Sequence, residues 1–283
     1  MRILVLGASG MAGHVIAEIL KQQHEIVGLT RNIKHPSVDC VHMNVLETCK
    51  LSEFILKQKF DIVINCVGLL NKEASDFIEH SIMINSLLPH LLSRLCSSYG
   101  GRVIHLSTDC VFSGKDGNYY ENSFRDGDSA YDRTKALGEL FNENDLTFRM
   151  SIVGPDLDNN GIGLFNWFMK QNSTINGYTS FYWSGITTIC LAKGILEAIN
   201  QNIKGLYHLV SNNTITKYEL LVLFKNIFNR NVTIIPINEP NINKQLVNSR
   251  SDFIFLLPSY FEMVIEMKEW INNHNSWYNH YFI

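Results

Sequence analysis

Residues 1–13 read MRILVLGASGMAG, and this stretch decides the fold. An apolar run ends at Gly7, and apolar residues at helical spacing follow over 11–22. Between the two patterns, Gly7, Gly10 and Gly13 form the motif G-x-x-G-x-x-G. Such glycines permit a tight turn, a close approach of the backbone to a pyrophosphate, and close packing of helix on strand. The stretch therefore predicts a dinucleotide-binding loop. Four of its residues are expected to contact the cofactor: Gly7, Ser9, Gly10 and Met11.

The rest of the first half repeats this alternation of strand and helix. Apolar runs predict strands at 25–29, 40–45, 61–67, 102–107 and 146–152. Helical patterns lie between them at 46–58, 77–98 and 131–143. Strands that are apolar throughout indicate a parallel sheet covered by helices on both faces. The predicted fold class is α/β, a Rossmann-type doubly wound parallel sheet with a smaller, mixed C-terminal part. In that part we predict helices at about 161–171, 187–201, 217–229 and 259–273, and a strand at 205–210.

Composition excludes several classes of protein. Lys plus Arg number 24 against 27 Asp plus Glu, a net charge of −3, so no basic surface for nucleic acid is expected. The six cysteines show no zinc-binding spacing, so no metal site is expected, and they indicate reduced thiols in a cytoplasmic protein. No apolar run approaches the roughly 18 residues of a membrane span, and the N-terminus does not have the pattern of a signal peptide.

The end of the second strand bears on the choice of cofactor. NAD sites usually place an acid there to accept a hydrogen bond from the 2′-hydroxyl of the adenosine ribose. This chain has Thr30-Arg31-Asn32 and no acid. Arg31 is able to pair with a 2′-phosphate, with Lys34 as a helper, although a solvated surface arginine is the alternative. The sequence favours NADP(H) over NAD(H).

A tyrosine and a lysine are candidate catalytic residues. Tyr131 and Lys135 are spaced i, i+4, so they lie on one face of a predicted helix. An ammonium one turn away is expected to lower the pKa of the phenol, which is otherwise near 10. Ser107-Thr108-Asp109 ends the preceding strand, where a hydroxyl can polarise a substrate carbonyl. In contrast, His105 and His208 lie inside apolar strands, which favours hydrogen-bonded core histidines over catalytic ones.

These motifs together resemble those of the extended short-chain dehydrogenases/reductases, and within them the dTDP-4-dehydrorhamnose reductases and their nucleotide-sugar relatives. The resemblance covers roughly residues 1–215 and includes Asn85 and Pro89. The matching segments are GASGMAG (7–13), INCVG (64–68), STDCVFSG (107–114), YYEN (119–122), AYDRTKALGE (130–139) and SGITTICLA (184–192).

The resemblance implies a function: NADPH-dependent reduction of the C4 keto group of a nucleotide-diphospho-4-keto-6-deoxyhexose, a rhamnose-type step of deoxysugar biosynthesis. It implies that NADPH gives a hydride to C4 and that Tyr131 gives the proton. A regulatory subunit of methionine adenosyltransferase shares the fold, so a non-catalytic NADP-binding subunit stays open as an alternative. A homodimer is also left open. The nucleotide, the sugar stereochemistry and the oligomeric state are not decided by the sequence.

The family's roles carry over to matching positions of this chain. The implied catalytic residues are Thr108, Tyr131 and Lys135. The implied cofactor contacts are Gly7, Ser9, Gly10, Met11, Arg31, Asn44, Val45, Cys66, Val67, Gly68, Asn85, Tyr131, Lys135, Ser151 and Ile152. The implied substrate contacts are Thr108, Asp109, Trp183 and Arg250. The implied domains are 1–152 with about 186–212 for NADP, and 153–185 with 213–283 for the substrate.

Cys110 departs from the reductase pattern, which usually has Tyr at that position. GDP-fucose synthase and the plant-type epimerase/reductase resemble this chain in having Cys there, and their thiol moves protons beside the 4-keto group. One possibility is therefore a bifunctional 3,5-epimerase/4-reductase that acts on a UDP- or dTDP-4-keto-6-deoxyglucose through Cys110. The alternative is that Cys110 is a small side chain with only a packing role. Those families take a second acid from the segment after the last Rossmann strand, where this chain has only Lys170.

Overall fold

A parallel sheet of seven strands lies at the centre of the computed structural model, which describes residues 1–211 and 213–281. The described residues form fourteen strands, of which seven make up this sheet and the others form smaller sheets. In chain order they are β1 Arg2–Leu6, β2 Glu25–Thr30, β3 Cys40–His42, β4 Ile62–Asn65, β5 Arg102–Leu106, β6 Leu146–Arg149, β7 Ile152–Val153, β8 Thr174–Tyr178, β9 Phe181–Trp183, β10 Ile186–Thr187, β11 Gly205–His208, β12 Ile215–Thr216, β13 Thr233–Ile237 and β14 Ile242–Asn243.

Within residues 1–211 and 213–281, ten α-helices connect and cover these strands. They are α1 Gly13–Leu20, α2 Thr48–Gln58, α3 Asn71–Asp76, α4 Ile78–Ser81, α5 Leu88–Ser97, α6 Ala130–Leu137, α7 Leu164–Met169, α8 Thr188–Asn200, α9 Lys217–Ile227 and α10 Tyr260–Asn273. A π-helical turn spans Ile82–Leu87, and short 3₁₀ turns lie at Asp109–Val111, Asn275–Trp277 and Asn279–Tyr281. No helix among the described residues combines the length and the apolar character needed to cross a membrane.

The order of the central sheet is β11-β6-β5-β4-β1-β2-β3, and every neighbouring pair is parallel. β1, β2 and β3 form one half of the sheet, and β4, β5, β6 and β11 form the other half on the opposite side of β1, so the strand order reverses between β1 and β4. Ligands of doubly wound sheets bind at this reversal, outside the carboxyl ends of the strands. The predicted Rossmann-type α/β fold is confirmed.

Side chains of β1 show how the sheet is covered on both faces. Ile3 and Val5 point into one apolar cluster together with α1 and α8. Leu4 and Leu6 point into a second cluster with α2 and α5. Successive side chains of a strand alternate between faces, so an uninterrupted apolar strand requires helices on both sides.

The structure differs from the sequence prediction at several elements. The predicted strand over 40–45 ends at His42, and the predicted helix over 131–143 ends at Leu137. The predicted helix over 77–98 is broken, since α4 passes into the π-helical turn at Ile82–Leu87 before α5 begins. The predicted strand over 146–152 ends at Arg149, and β7 pairs instead with β10. Beyond the central sheet, the described residues also form a three-stranded sheet, β12-β9-β14, and a pair, β13-β8.

Candidate active site

The loop after β1 has the geometry of a phosphate cradle. Gly7 has φ +76°, in the left-handed region that favours glycine. A Cβ on Gly13 would lie 2.1 Å from the Gly7 carbonyl oxygen, so α1 packs directly on this turn. A Cβ on Gly10 would meet only that oxygen, at 3.3 Å, so its outer side is open. The backbone N–H groups of Ser9 and Met11 have no partner within the described part of the chain. This open, donor-lined turn at a helix N-terminus fits a dinucleotide diphosphate.

The adenosine end of this site follows β2. Thr30 is buried, and its hydroxyl lies 3.3 Å from His42 Nδ1. Arg31 is exposed, and within residues 1–211 and 213–281 its guanidinium forms no hydrogen bond or ion pair. The position and the free guanidinium fit recognition of a 2′-phosphate.

Asn85 supports the segment after β4 that is predicted to contact the cofactor. Asn85 lies in the π-helical turn and is buried. Its Oδ1 accepts from the Leu69 backbone N–H at 2.9 Å, and its Nδ2 donates to the Leu69 carbonyl at 3.0 Å. This pair of bonds fixes the segment that includes Cys66, Val67 and Gly68 at the carboxyl end of β4. Asn85 thus lies behind the loop, with its amide bound to the Leu69 backbone.

Two other predicted cofactor segments also follow strands of the central sheet. Asn44 and Val45 come just after β3, where Asn44 Oδ1 accepts from the Leu46 backbone N–H at 3.1 Å. Ser151 and Ile152 follow β6, and the Ser151 carbonyl accepts from the Ile186 N–H at 3.0 Å. The structure therefore brings the predicted cofactor residues to one edge of the sheet.

The candidate catalytic tyrosine stands in the first turn of α6. The Ser129 side chain accepts from the Asp132 backbone N–H and Asp132 accepts from the Ser129 backbone, a capping box that fixes where the helix begins. Tyr131 thereby faces Thr108, whose hydroxyl is a neighbour that lowers the phenol's pKa. Burial and the adjacent Cys110 outweigh that effect and raise the pKa of Tyr131 above its usual value.

Lys135 does not act on Tyr131 as the sequence suggested. Its ammonium donates to the Leu106 carbonyl at 2.7 Å and lies 3.4 Å from His105 Nε2. The expected lowering of the phenol's pKa by Lys135 is therefore wrong for the protein without a ligand, because the ammonium is directed to the end of β5. Burial lowers the pKa of Lys135 itself to about 8.

The two strand histidines are buried and hydrogen-bonded, as predicted. His105 contacts Asn65 at 3.2 Å on one ring nitrogen and Lys135 on the other. His208 lies between Arg149, at 2.8 Å, and the Val247 carbonyl, at 2.9 Å. Burial lowers the pKa of both, to about 4 for His208, so neither is charged near neutral pH.

The two neighbouring hydroxyls after β5 have different hydrogen-bond partners. Ser107 Oγ donates to Glu139 Oε1 at 2.7 Å, so it is engaged in the core. Thr108 Oγ1 accepts from the Cys110 backbone N–H at 3.1 Å and donates to Asp109 Oδ1 at 3.2 Å, a partner that a substrate oxygen can replace. Thr108 is therefore the hydroxyl that can meet a carbonyl beside Tyr131.

Two lysines that the sequence analysis did not select lie beside Cys110. The Lys244 ammonium and the Lys217 ammonium both interact with Cys110 and with the buried Asp109. Burial lowers the pKa of Lys217 to about 8, whereas the negative groups around Lys244 raise its pKa. Lys170, the only lysine expected as a second acid, instead donates to the Asn159 carbonyl at the surface.

Burial and the Asp109 carboxylate raise the pKa of Cys110 to about 12. Cys110 is therefore a protonated thiol near neutral pH, whereas the pKa of an ordinary thiol is about 8.5. No signal in the sequence joins Lys217 and Lys244 to it, because these residues come from the distant helix α9 and from the chain just after β14.

Of the two remaining predicted substrate residues, Trp183 lies near the site and Arg250 does not. Trp183 is buried in β9, 4.6 Å from Lys217 Nζ, and its indole Nε1 lacks a hydrogen-bond partner among the described residues. Arg250, by contrast, is not brought to the site. It donates to the Lys204 and Leu206 carbonyls and pairs with Asp252, at the amino end of β11, whereas the site lies at the carboxyl ends.

Comparison with known proteins agrees with this geometry. The probable low-salt glycan biosynthesis reductase Agl14 of Haloferax volcanii is 27% identical over 234 residues, covering 76% of this chain and 76% of that protein. Methionine adenosyltransferase 2 subunit beta of Xenopus laevis is 24% identical over 246 residues, covering 81% and 72%. The crystal structure of dTDP-4-dehydrorhamnose reductase from Bacillus anthracis in complex with NADP matches with a TM-score of 0.79 at 17% identity, covering 95% and 98%. The family model described as the RmlD substrate binding domain matches residues 1–269. The chain therefore belongs to the RmlD substrate binding domain family.

Proposed function

We propose that this protein is an NADPH-dependent reductase of the C4 keto group of a nucleotide-diphospho-4-keto-6-deoxyhexose. One observation carries the proposal: Thr108 and Tyr131 face each other at the carboxyl edge of the sheet, next to the phosphate cradle. The similarity to a protein named as a glycan biosynthesis reductase, and the fold shared with a dTDP-4-dehydrorhamnose reductase in complex with NADP, support the same class of reaction.

In this proposal the cofactor is held by the phosphate loop, by Arg31 and by the segment Cys66, Val67 and Gly68. When bound, it supplies the hydride for the carbonyl carbon. Lys135 lies at the end of β5, where it can donate to a ribose hydroxyl in place of the Leu106 carbonyl.

The proton comes from Tyr131. Because its pKa is raised, the phenol is protonated before the reaction and can act as the acid for the carbonyl oxygen. Thr108 holds that oxygen beside the phenol. A positioned acid of this kind typically contributes about 10²- to 10⁴-fold to the rate.

The division of the chain between two ligands is part of the proposal. We assign residues 1–152 and about 186–212 to the cofactor, and 153–185 and 213–283 to the nucleotide sugar. Pairing of β11 with β6 supports the first assignment, since it adds a late segment to the central sheet. The buried Trp183 with its unpaired Nε1, beside Lys217, supports the second.

A second candidate function is 3,5-epimerisation before reduction, and the contacts of Cys110 favour it. Epimerisation needs a base that removes the proton from C3 or C5 and an acid that returns one to the opposite face. Lys217 has a pKa near 8, so its neutral amine is available as a base, while the Cys110 thiol holds a proton to donate. Thr108 and Tyr131 would stabilise the intervening enolate through its oxygen.

A non-catalytic cofactor-binding subunit is less well supported. The similarity to methionine adenosyltransferase 2 subunit beta raises this alternative. Cofactor binding alone requires neither a positioned phenol nor a hydroxyl beside it, so the complete set of Thr108, Tyr131 and Lys135 favours an enzyme.

The direct test supplies UDP- and dTDP-linked 4-keto-6-deoxyhexoses with NADPH and identifies the products by NMR. We expect NADPH oxidation and a 6-deoxyhexose hydroxylated at C4 from at least one nucleotide form. If the protein binds NADPH but does not oxidise it with the UDP- or the dTDP-linked sugar, whether or not that sugar has been epimerised, the result would contradict the reductase and favour the regulatory subunit.

A further inference from the structure

The C-terminal tail, residues 270–281, reaches the phosphate loop. This tail lies beyond residues 1–269, the part of the chain that the family model matches. Its Tyr278 is fully buried, and the hydroxyl lies 2.7 Å from Nε2 of His14, which is also fully buried, in α1. The other ring nitrogen, His14 Nδ1, lies 2.8 Å from the Gly10 carbonyl oxygen. A single side chain thus connects the tail to the centre of the cradle.

The partners of these groups fix the direction of every hydrogen bond. The Gly10 carbonyl can only accept, so His14 Nδ1 carries the proton and Nε2 accepts. Tyr278 therefore donates its hydroxyl proton to Nε2, and its oxygen accepts from Trp270 Nε1 at 2.9 Å. Burial lowers the pKa of His14 to about 4, so the imidazole is neutral at pH 7, as this arrangement requires.

The consequence falls on one peptide group of the loop. The Gly10 carbonyl also accepts from the His14 backbone N–H at 3.1 Å, so two donors hold it toward the protein. In a trans peptide the C=O and the following N–H point in opposite directions. Holding the carbonyl inward therefore turns the Met11 N–H outward, to the open side of the loop.

We propose that Tyr278 is a positioning residue of the cofactor site, which acts through His14 to hold the Gly10–Met11 peptide with its N–H facing the bound diphosphate. The inference rests on the proposed function in that it takes the ligand of this loop to be a dinucleotide such as NADPH.

The same tail also contacts the segment after β2, which begins with Arg31 and includes His35. The His35 ring stands edge-on to Trp277, with centroids 5.6 Å apart. Its Nδ1 accepts from the Ser37 backbone N–H at 3.1 Å, so Nε2 donates to the His14 carbonyl at 2.9 Å. The tail therefore contacts both segments that approach the cofactor phosphates.

The test compares two variants of the tail that each remove one buried hydroxyl. Tyr278→Phe removes the hydroxyl that contacts His14. Tyr281→Phe is the matched control, because its hydroxyl accepts from the Asp156 backbone N–H at 2.9 Å and lacks contact with His14 or Gly10. We expect Tyr278→Phe to raise the Kd for NADPH by about three- to tenfold, the range of one hydrogen bond, and Tyr281→Phe to change it by less than about twofold. At saturating NADPH, the control Tyr281→Phe should leave kcat unchanged.

A double-mutant cycle tests the route through His14. In His14→Asn, the side-chain Nδ2 can still donate to the Gly10 carbonyl, but the shorter side chain places no acceptor where His14 Nε2 meets the Tyr278 hydroxyl. In that background Tyr278→Phe should not weaken NADPH binding further. Three outcomes would overturn the inference. Tyr278→Phe weakens NADPH binding equally in the unmodified protein and in His14→Asn, Tyr281→Phe weakens it as much as Tyr278→Phe does, or Tyr278→Phe binds NADPH like the unmodified protein. Because binding is measured without sugar substrate, these outcomes differ from failure of the proposed function, in which the unmodified protein binds NADPH but reduces no keto sugar. An unmodified protein that does not bind NADPH would overturn both.

Discussion

The Glu139 carboxylate binds the Arg149 guanidinium through two parallel hydrogen bonds, Oε1 to Nε and Oε2 to Nη2, each 2.8 Å long. Both side chains are buried. Ser107 donates to the same carboxylate, so one residue that follows α6 ties together the ends of β5 and β6. This junction sets the position of the helix that carries Tyr131 relative to the strand end that carries Thr108.

Glu139→Gln should destabilise the protein strongly. The substitution removes the charge and leaves Arg149 buried without a counter-ion, which typically costs about 3–5 kcal/mol. Urea denaturation measures the free energy of unfolding. Glu143→Gln, at an exposed position six residues after the end of α6 and outside the junction, should change this free energy by less than about 0.5 kcal/mol. Equal stability of the two variants would contradict a structural role for the pair.

Arg31→Ala should remove most of the preference for NADPH over NADH. The guanidinium is exposed, lies directly after β2 and is free of other partners within the described residues. A charge-assisted hydrogen bond to a phosphate contributes about 1.5–3 kcal/mol. Fluorescence titration with both cofactors gives the ratio of Kd values, and the exposed Lys57→Ala of α2 is the control. Equal affinities of the unmodified protein for NADPH and NADH would show that the prediction is wrong.

The lowered pKa of Lys135 should appear in the pH dependence of stability. Burial sets this pKa to about 8, below the roughly 10.4 of a lysine in an unfolded chain. Between the two values the unfolded state binds more protons, so the contribution of this group to the free energy of unfolding increases with pH. The unfolding free energy of the unmodified protein minus that of Lys135→Met should therefore increase from about pH 8 to about pH 10. A constant or decreasing difference would contradict the buried ammonium.

Cys110→Ser should separate epimerisation from reduction. With an unepimerised 4-keto-6-deoxyglucose nucleotide in deuterated water, the unmodified protein is expected to incorporate deuterium at C3 or C5. The Ser variant should lose inversion at these carbons, because it lacks the thiol that returns the proton to the opposite face, yet still reduce the keto group, because Thr108 and Tyr131 are unchanged. The exposed Cys49→Ser is the control for loss of a thiol. If the unmodified protein shows no exchange and reduces only a pre-epimerised substrate, Cys110 has a packing role and the simple reductase stands.

The central sheet could be predicted from the sequence because its signals are local. β1 is apolar from Ile3 to Leu6, and a glycine with φ +76° follows it directly. The small sheets were missed for the converse reason. β8 reads TINGY and β13 reads TIIPI, and their pairing joins segments far apart in the chain, each with a residue that is unfavourable in strands, Gly177 and Pro236.

The site was predictable where a motif fixes spacing, and not where the fold joins distant segments. Tyr131 and Lys135 share a helix, so their relation followed from the period of 3.6 residues. The direction of the Lys135 ammonium depends on the Leu106 carbonyl of another element, which no spacing reveals. Lys217 and Lys244 reach Cys110 for the same kind of reason, and Arg250 fails to reach the site because it is bound at the opposite end of β11.

The most direct test of the proposed reduction compares the unmodified protein with Tyr131→Phe, using NADPH and a nucleotide-linked 4-keto-6-deoxyhexose. The variant keeps the ring and loses the acid, and Tyr99→Phe, outside the site, is the control. The rate of NADPH oxidation should fall by at least about 10²-fold in Tyr131→Phe, while the Kd for NADPH stays within about twofold, as expected when a group acts mainly in the transition state. Turnover of Tyr131→Phe near that of the unmodified protein would contradict the assignment of Tyr131 as the proton donor.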